Sequence, residues 1–245
     1  GKNYRPINAG ETSTHIAKLA SDHLSSLIEL EFLTTEAVRT LLPDDATVEL
    51  TIAPIQGIEE KALVVRRFDR SFSGVKRHFE EFNQLLGKRA GDSKYDGAYA
   101  DMGNFMRANS GCVQTEVLGL LRRVLVCLLV GNTDAHFKNF AMFHTRDGLR
   151  LTPNYDLVAA AFYKEYQTIA LKVAHAQDLS LGKLLPKHLV ALAGEFGVNG
   201  KMQQELLHDL AKRIPICEEC IGKANVGTDE LRNRLIQMVN KRWKG

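Results

Sequence analysis

Within GNTDAHFKNF, residues 131–140, an aspartate, a histidine, a lysine and an asparagine fall between Asp134 and Asn139. Downstream, LTPNYDL places a second carboxylate at Asp156, and upstream STHIAK places a cation at Lys18. Phosphoryl transfer asks for such a set: a cation on nucleotide phosphates, side-chain oxygens on a magnesium ion, and a carboxylate beside the attacking hydroxyl. An Asp followed five residues later by an Asn is the spacing of a loop that carries base and metal ligand together, and Asp134 and Asn139 stand at that spacing. The pair alone recurs by chance. The ordered set of Lys18, Asp134, Asn139 and Asp156, with a helix before the loop and a hairpin after it, is far more specific.

Those elements follow from periodicity. Residues 113–130, with the apolar run LGLLRRVLVCLLV, predict a buried helix that ends where the polar loop begins. NFAMFH and GLRLT flank TRDG and predict a hairpin, which returns the chain so that Asp156 faces Asn139 across a metal. Upstream, NYRPI and THIAKLA predict strands around a turn at Ala9 and Gly10. SSLIELEFLTTEAVRTLL predicts a helix, and VELTIAPI and KALVVRRF predict a second strand pair. Lys18 then lies in a strand, with Glu29 or Glu31 on the following helix to brace it. An alternating strand turns such a lysine to solvent as readily as into a cleft.

Arg66, Arg67 and Phe68 close the last strand, where a hinge would pair with adenine through its backbone. Beyond it the period is helical: VKRHFEEFNQLLGKR, AYADMGNFMRAN, the helix at 113–130, and helices at 186–196, 199–222 and 228–243, the last N-capped by Thr228. The expected fold is α+β and two-lobed, with a small β-rich N-lobe over residues 1–70 and a larger, mostly helical C-lobe over 71–245. Ligands bind in clefts between such lobes.

Composition sets limits. In 245 residues, 32 Lys and Arg against 29 Asp and Glu leave a net charge of +3, too small to demand a polyanionic partner. Four cysteines make no disulfide framework, and without a basic-then-apolar leader the default compartment is a reducing cytoplasm. Arg122 and Arg123 in the middle of the longest apolar run argue against a membrane span. Cys217 and Cys220 form CEEC without a second ligand pair, so two reduced thiols on a helix are expected there. Arg232, Arg234, Lys241, Arg242 and Lys244 on the last helix are expected to form a solvated face, with contact to DNA through a docked partner as the lesser alternative.

GNTDAHFKNF followed by LTPNYDL resembles the catalytic and metal-binding segments of HipA-type serine/threonine kinases, the toxin half of bacterial toxin-antitoxin pairs. STHIAK and VVRRFDR resemble that family's lysine strand and hinge, and EEFNQLLG its following helix. The resemblance implies a protein-kinase-like fold that uses ATP and Mg2+. It makes Asp134 the catalytic base and Asn139 and Asp156 the magnesium ligands. Lys18, braced by Glu31, would contact the phosphates, and His136 and Lys138 would lie near the transferred phosphoryl group. Arg66, Arg67 and Phe68 would form the adenine hinge, Asp69 would reach the ribose, and Phe137 and Tyr155 would join the nucleotide site.

The family also places a glycine-rich, serine-bearing segment before its lysine strand, whereas only GKNYRPINAGET precedes STHIAK here. That departure implies a shortened chain or a short HipT-like form. By the same resemblance the substrate would be a protein of the translation machinery, such as an aminoacyl-tRNA synthetase, and its phosphorylation would arrest growth. The partner would be a helix-turn-helix antitoxin, with operator DNA reached only through it and no membrane involved. Two other readings stay open: a catalytically silent kinase-fold module acting as corepressor or decoy, and a small-molecule phosphotransferase of the aminoglycoside type.

Overall fold

A computed structural model describes residues 4–71 and 73–244. Among these residues there are six strands and seven α-helices, the strands in two antiparallel sheets and five of the helices beyond residue 98, an α+β arrangement. β1 (His15–Lys18), β2 (Leu50–Pro54) and β3 (Lys61–Arg66) form the first sheet with β3 in the centre. Ile55, Ala62 and Val64 form its small separate core. NYRPI does not add a strand: of the part described, Tyr4 makes only an isolated bridge to Ile55.

α1 (Leu27–Leu41) follows the helical period expected of it and buries Leu30, Leu33, Ala37, Val38 and Leu41 in the main core, against α6 (Gly200–Lys223) and α4 (Glu116–Val130). Each such leucine contributes about 1.5–3 kcal/mol on burial. α3 (Tyr99–Ala108), α5 (Pro186–Glu195) and α7 (Asp229–Lys244) complete the helical body. Thr228 caps α7 as expected, its Oγ1 accepting from the Leu231 amide at 3.1 Å.

The helix expected over residues 75–89 is largely absent. Phe79–Glu81 forms β4, paired with β5 (Ala141–Thr145), and only the single turn α2 (Phe82–Leu85) is helical. The edge of β5 offers backbone partners, and Phe79 meets Phe68 at 5.1 Å in an aromatic cluster, so tertiary pairing overrides local period. β6 (Gly148–Leu151) closes the predicted hairpin.

Arg123, in the middle of α4, is buried and charged. Its Nε and Nη2 hold both oxygens of Asp45 at 2.6 and 2.5 Å, and its Nη1 donates to the Thr152 carbonyl at 2.7 Å. Asn154 donates to the same Asp45 at 3.1 Å. The apolar helix therefore tolerates an arginine because the guanidinium's donors are matched, and among the described residues no helix is long and apolar enough to cross a membrane. Asp45→Ala strands a buried guanidinium. The expected loss is about 3 kcal/mol, near the lower end for buried pairs because the Asp45 side chain is 25% exposed, and urea unfolding checks it. A loss within 0.5 kcal/mol, about the size of an ordinary surface substitution, would show that the clamp is not structural.

Candidate active site

α4 stops at Gly131, whose φ of 84° is a left-handed conformation that glycine adopts without strain. The following loop is pinned from several sides. Ala170 donates to the Thr133 carbonyl at 2.8 Å, Thr133 Oγ1 donates to the Tyr166 carbonyl at 2.7 Å, and the buried Tyr99 hydroxyl donates to the Ala135 carbonyl at 2.9 Å. Asn132, Thr133, Ala135, His136 and Phe137 are buried around an exposed Asp134, so one carboxylate projects from a rigid support. Phe137 has no accessible surface. It anchors the loop, and its side chain cannot touch a ligand.

The hairpin brings Asp156 back beside the loop at a φ of 56°, a left-handed conformation that few residues other than glycine adopt. Asn139 Nδ2 donates to Asp156 Oδ2 at 2.7 Å. Lys18 Nζ donates to Asp156 Oδ1 at 2.5 Å and to Glu31 Oε1 at 2.7 Å. Of the two candidate braces, Glu31 is therefore the one used. Burial alone would lower the Lys18 pKa, but the carboxylates of Asp156 and Glu31 outweigh it and hold the ammonium above its ordinary range. Burial pushes the Glu31 carboxyl up, with Lys18 opposing. Asp156 and Asn139 together offer hard oxygen donors of the kind magnesium takes, beside a lysine suited to phosphate.

Asp134 has a partner that the sequence did not disclose. Tyr95, in a short 3-10 turn (Asp92–Tyr95), donates its hydroxyl to Asp134 Oδ1 at 2.9 Å. Burial and then that carboxylate push the phenol up to about 12, so it stays a donor at neutral pH. The contact spans 39 positions in the chain, and Tyr95 sits in no motif that marks it. Tyr95 also meets the His136 ring edge-on at 5.2 Å. Lys138 is half-buried, its charge easing the burial of Glu81 and its carbonyl accepting from Tyr155 at 2.6 Å.

The expected hinge forms a separate cluster. The backbone amides of Arg66 and Arg67 donate to Glu49 and Thr14 within the sheet, at 2.8 and 3.0 Å. Both oxygens of Asp69 are held by Arg67, at 2.9 and 2.8 Å, and Arg70 adds a contact at 2.6 Å. Phe68 stacks on Tyr155 at 5.1 Å and so joins this cluster to the Asp156 segment. The basic face expected on α7 is partly engaged within the protein. Arg242 donates to the Leu129 carbonyl at 3.1 Å, Arg234 lies 3.8 Å over the Phe162 ring, and Arg232 donates to the Gly227 carbonyl at 2.7 Å. Cys217 is buried, and burial pushes its thiol up to about 12, as suits an inert reduced cysteine.

A family model described as the HipA-like C-terminal domain matches residues 3–217. The serine/threonine-protein kinase toxin HipA of Shewanella oneidensis is 27% identical over 234 residues, covering 88% of this chain and 52% of that protein. This chain thus spans about half the length of that relative. The solved complex of Shewanella oneidensis HipA with HipB and operator DNA contains a chain that superposes with a TM-score of 0.77 at 23% identity, over 95% of this chain and 58% of that one. The Helicobacter pylori proinflammatory kinase CtkA gives a TM-score of 0.68 at 12% identity, over 99% of this chain and 94% of that one. The fold is therefore kinase-like.

His136 supplies a test of the loop. Burial lowers its pKa from 6.5, with Asp134 opposing. An NMR titration, assigned with a His136→Gln variant, is expected to place its midpoint below 6.5. Between that midpoint and 6.5 the unfolded chain binds the extra proton, so this group makes stability rise with pH across the window. A midpoint at or above 6.5 would contradict the burial of the ring.

Proposed function

The chain belongs to the HipA-like C-terminal domain family, and on that premise we propose that it is a serine/threonine protein kinase, transferring the γ-phosphoryl group of ATP to a protein hydroxyl with Mg2+. The observation that carries this reading is the convergence of Lys18, Glu31, Asn139 and Asp156, including a contact between residues 138 positions apart. A merely structural ion pair has no need of an asparagine amide aimed at the same carboxylate, nor of an exposed Asp134 on a loop whose other residues are mostly buried.

In this mechanism Asp156 and Asn139 would hold the metal, and Lys18, steered by Glu31, would bind the phosphates. When bound, the metal would supply positive charge to offset that on the phosphate oxygens. Asp134 orients the attacking hydroxyl and accepts its proton as the oxygen bonds to phosphorus and ADP departs. Tyr95 occupies Oδ1 of Asp134, which directs Oδ2 to the incoming hydroxyl. His136, held neutral by burial, adds no positive charge that would draw the carboxylate away. Phe68 and the turn after it would meet the base, because the amides of Arg66 and Arg67 are already engaged within the sheet.

The resemblance supports a protein of the translation machinery as substrate, an aminoacyl-tRNA synthetase among them, and growth arrest as the result. The HipB and operator DNA in the solved complex of the Shewanella relative support a helix-turn-helix antitoxin as partner, with DNA reached through it.

The test is transfer of labelled γ-phosphate from ATP to proteins of a bacterial lysate. Asp134→Asn is expected to lower labelling by about 10²–10⁴-fold, the range general base catalysis supplies, while MgATP still raises the melting temperature. Labelling undiminished in that variant would remove Asp134 from the chemistry. If the native chain labels nothing yet MgATP raises its melting temperature, the kinase reading fails in favour of a silent nucleotide-binding module. Tyr95→Phe is expected to lower kcat by less than Asp134→Asn and to leave the nucleotide Kd unchanged. An equal loss in kcat and nucleotide affinity would make Tyr95 structural.

A further inference from the structure

The paired strands β4 and β5 carry chemistry that the phosphoryl site does not use. Phe79 and Phe143 face each other in the register and pack on Phe68. Alternation of side chains along a strand sends their neighbours His78, Glu80 and His144 to the opposite face. There the His78 and His144 rings lie 4.5 Å apart with a 38° tilt, and His144 Nε2 is 2.6 Å from Glu80 Oε2. Both histidines are exposed and Glu80 is half-buried, so the group is open to solvent and to ions.

We propose that His78, Glu80 and His144 form a binding site for a divalent transition-metal ion of the zinc class, separate from the phosphoryl site. One donor atom from each residue lies within 4.8 Å of the others. Zinc bonds to nitrogen and oxygen are about 2.0–2.2 Å, which sets ligand atoms about 3.4 Å apart in a tetrahedron. Small side-chain adjustments on a fixed strand pair reach that spacing. Two imidazoles and one carboxylate with a water in the fourth position suit zinc. Magnesium, which demands octahedral oxygen ligands, is excluded by the nitrogen donors.

The neighbouring cation is turned away, since Arg77 lies 4.0 Å over the Phe143 ring on the other face. Glu80 already orients His144, and that contact gives way by less than about 1 Å to admit an ion. The consequence is mechanical. β4 is only three residues long, and an ion held by His78 and Glu80 on one side and His144 on the other fastens it to β5 beneath the aromatic cluster that includes Phe68.

The test is calorimetric titration of the full chain, freed of any affinity tag, with Zn2+ in excess Mg2+, alongside Co2+ absorption spectra. One equivalent of Zn2+ is expected, with a higher melting temperature and a Co2+ spectrum lacking a thiolate charge-transfer band. His78→Ala and His144→Ala each remove a ligand and are expected to weaken binding at least about tenfold, because losing even an outer-shell partner costs 10–100-fold. Both sites are exposed, so metal-free melting temperatures should match the native protein and show that the variants fold. Cys220→Ser is expected to bind Zn2+ as the native chain does. Absence of binding, affinity unchanged in both histidine variants, or loss of binding in Cys220→Ser would each overturn the proposal.

Discussion

The guanidinium of Arg123 is the constraint on which the arrangement depends. A charge buried inside an apolar helix is tolerated only when its donors are matched, and here the matches come from two distant parts of the chain. Asp45 comes from the connection between α1 and β2, and Thr152 from the segment that leads to Asp156. Asn154 then ties that segment to Asp45 and to the Ala46 carbonyl. The satisfaction of one side chain thus fixes the small sheet, the helical body and the segment that carries Asp156 relative to α4. The end of α4 in turn sets the loop with Asp134. Both acidic groups of the site are referenced to a single helix.

The second organising feature is a separation of charge. Asp156 lies against an ammonium that a buried glutamate also holds, and Asp134 lies against a neutral phenol. The two carboxylates have opposite surroundings, although one short stretch of chain, the loop after α4 and the hairpin that follows it, carries both. The one meets a full positive charge and the other the dipole of a hydroxyl, the division of surroundings that the proposed roles of metal ligand and base call for.

How much of this was legible in the sequence depended on range. α1, α4 and the hairpin declared themselves because their apolar periods agree with their burial. The Lys18 brace was narrowed to Glu29 or Glu31 by the same period, and the buried face of α1 decided for Glu31. The stretch at residues 75–89 was misleading because Val75, Phe79, Phe82 and Leu86 satisfy a helical period that the edge of β5 overrides. Tyr95 was invisible, since its link to Asp134 exists only once the chain has folded. Nothing local in the sequence shows that Leu129 and Phe162 lie opposite the arginines of α7, so that stretch reads as a solvated face. The hinge amides depend in the same way on Glu49 and Thr14, which no spacing rule connects to them, whereas the pairing of Asp69 with the adjacent Arg70 is readable from the sequence.

The meeting of Gly131 with Arg242 carries a consequence for how such a chain can drift. A Cβ at position 131 would lie 2.6 Å from the Arg242 guanidinium, and the backbone there already has a φ of 84°. A side chain at position 131 would have to displace the end of the Arg242 side chain, which donates to the Leu129 and Met238 carbonyls, and would also have to take up the left-handed backbone. Two independent constraints, the left-handed backbone and the packing of Arg242, therefore hold glycine at the residue that opens the Asp134 loop, and loss of the arginine would lift only one of them.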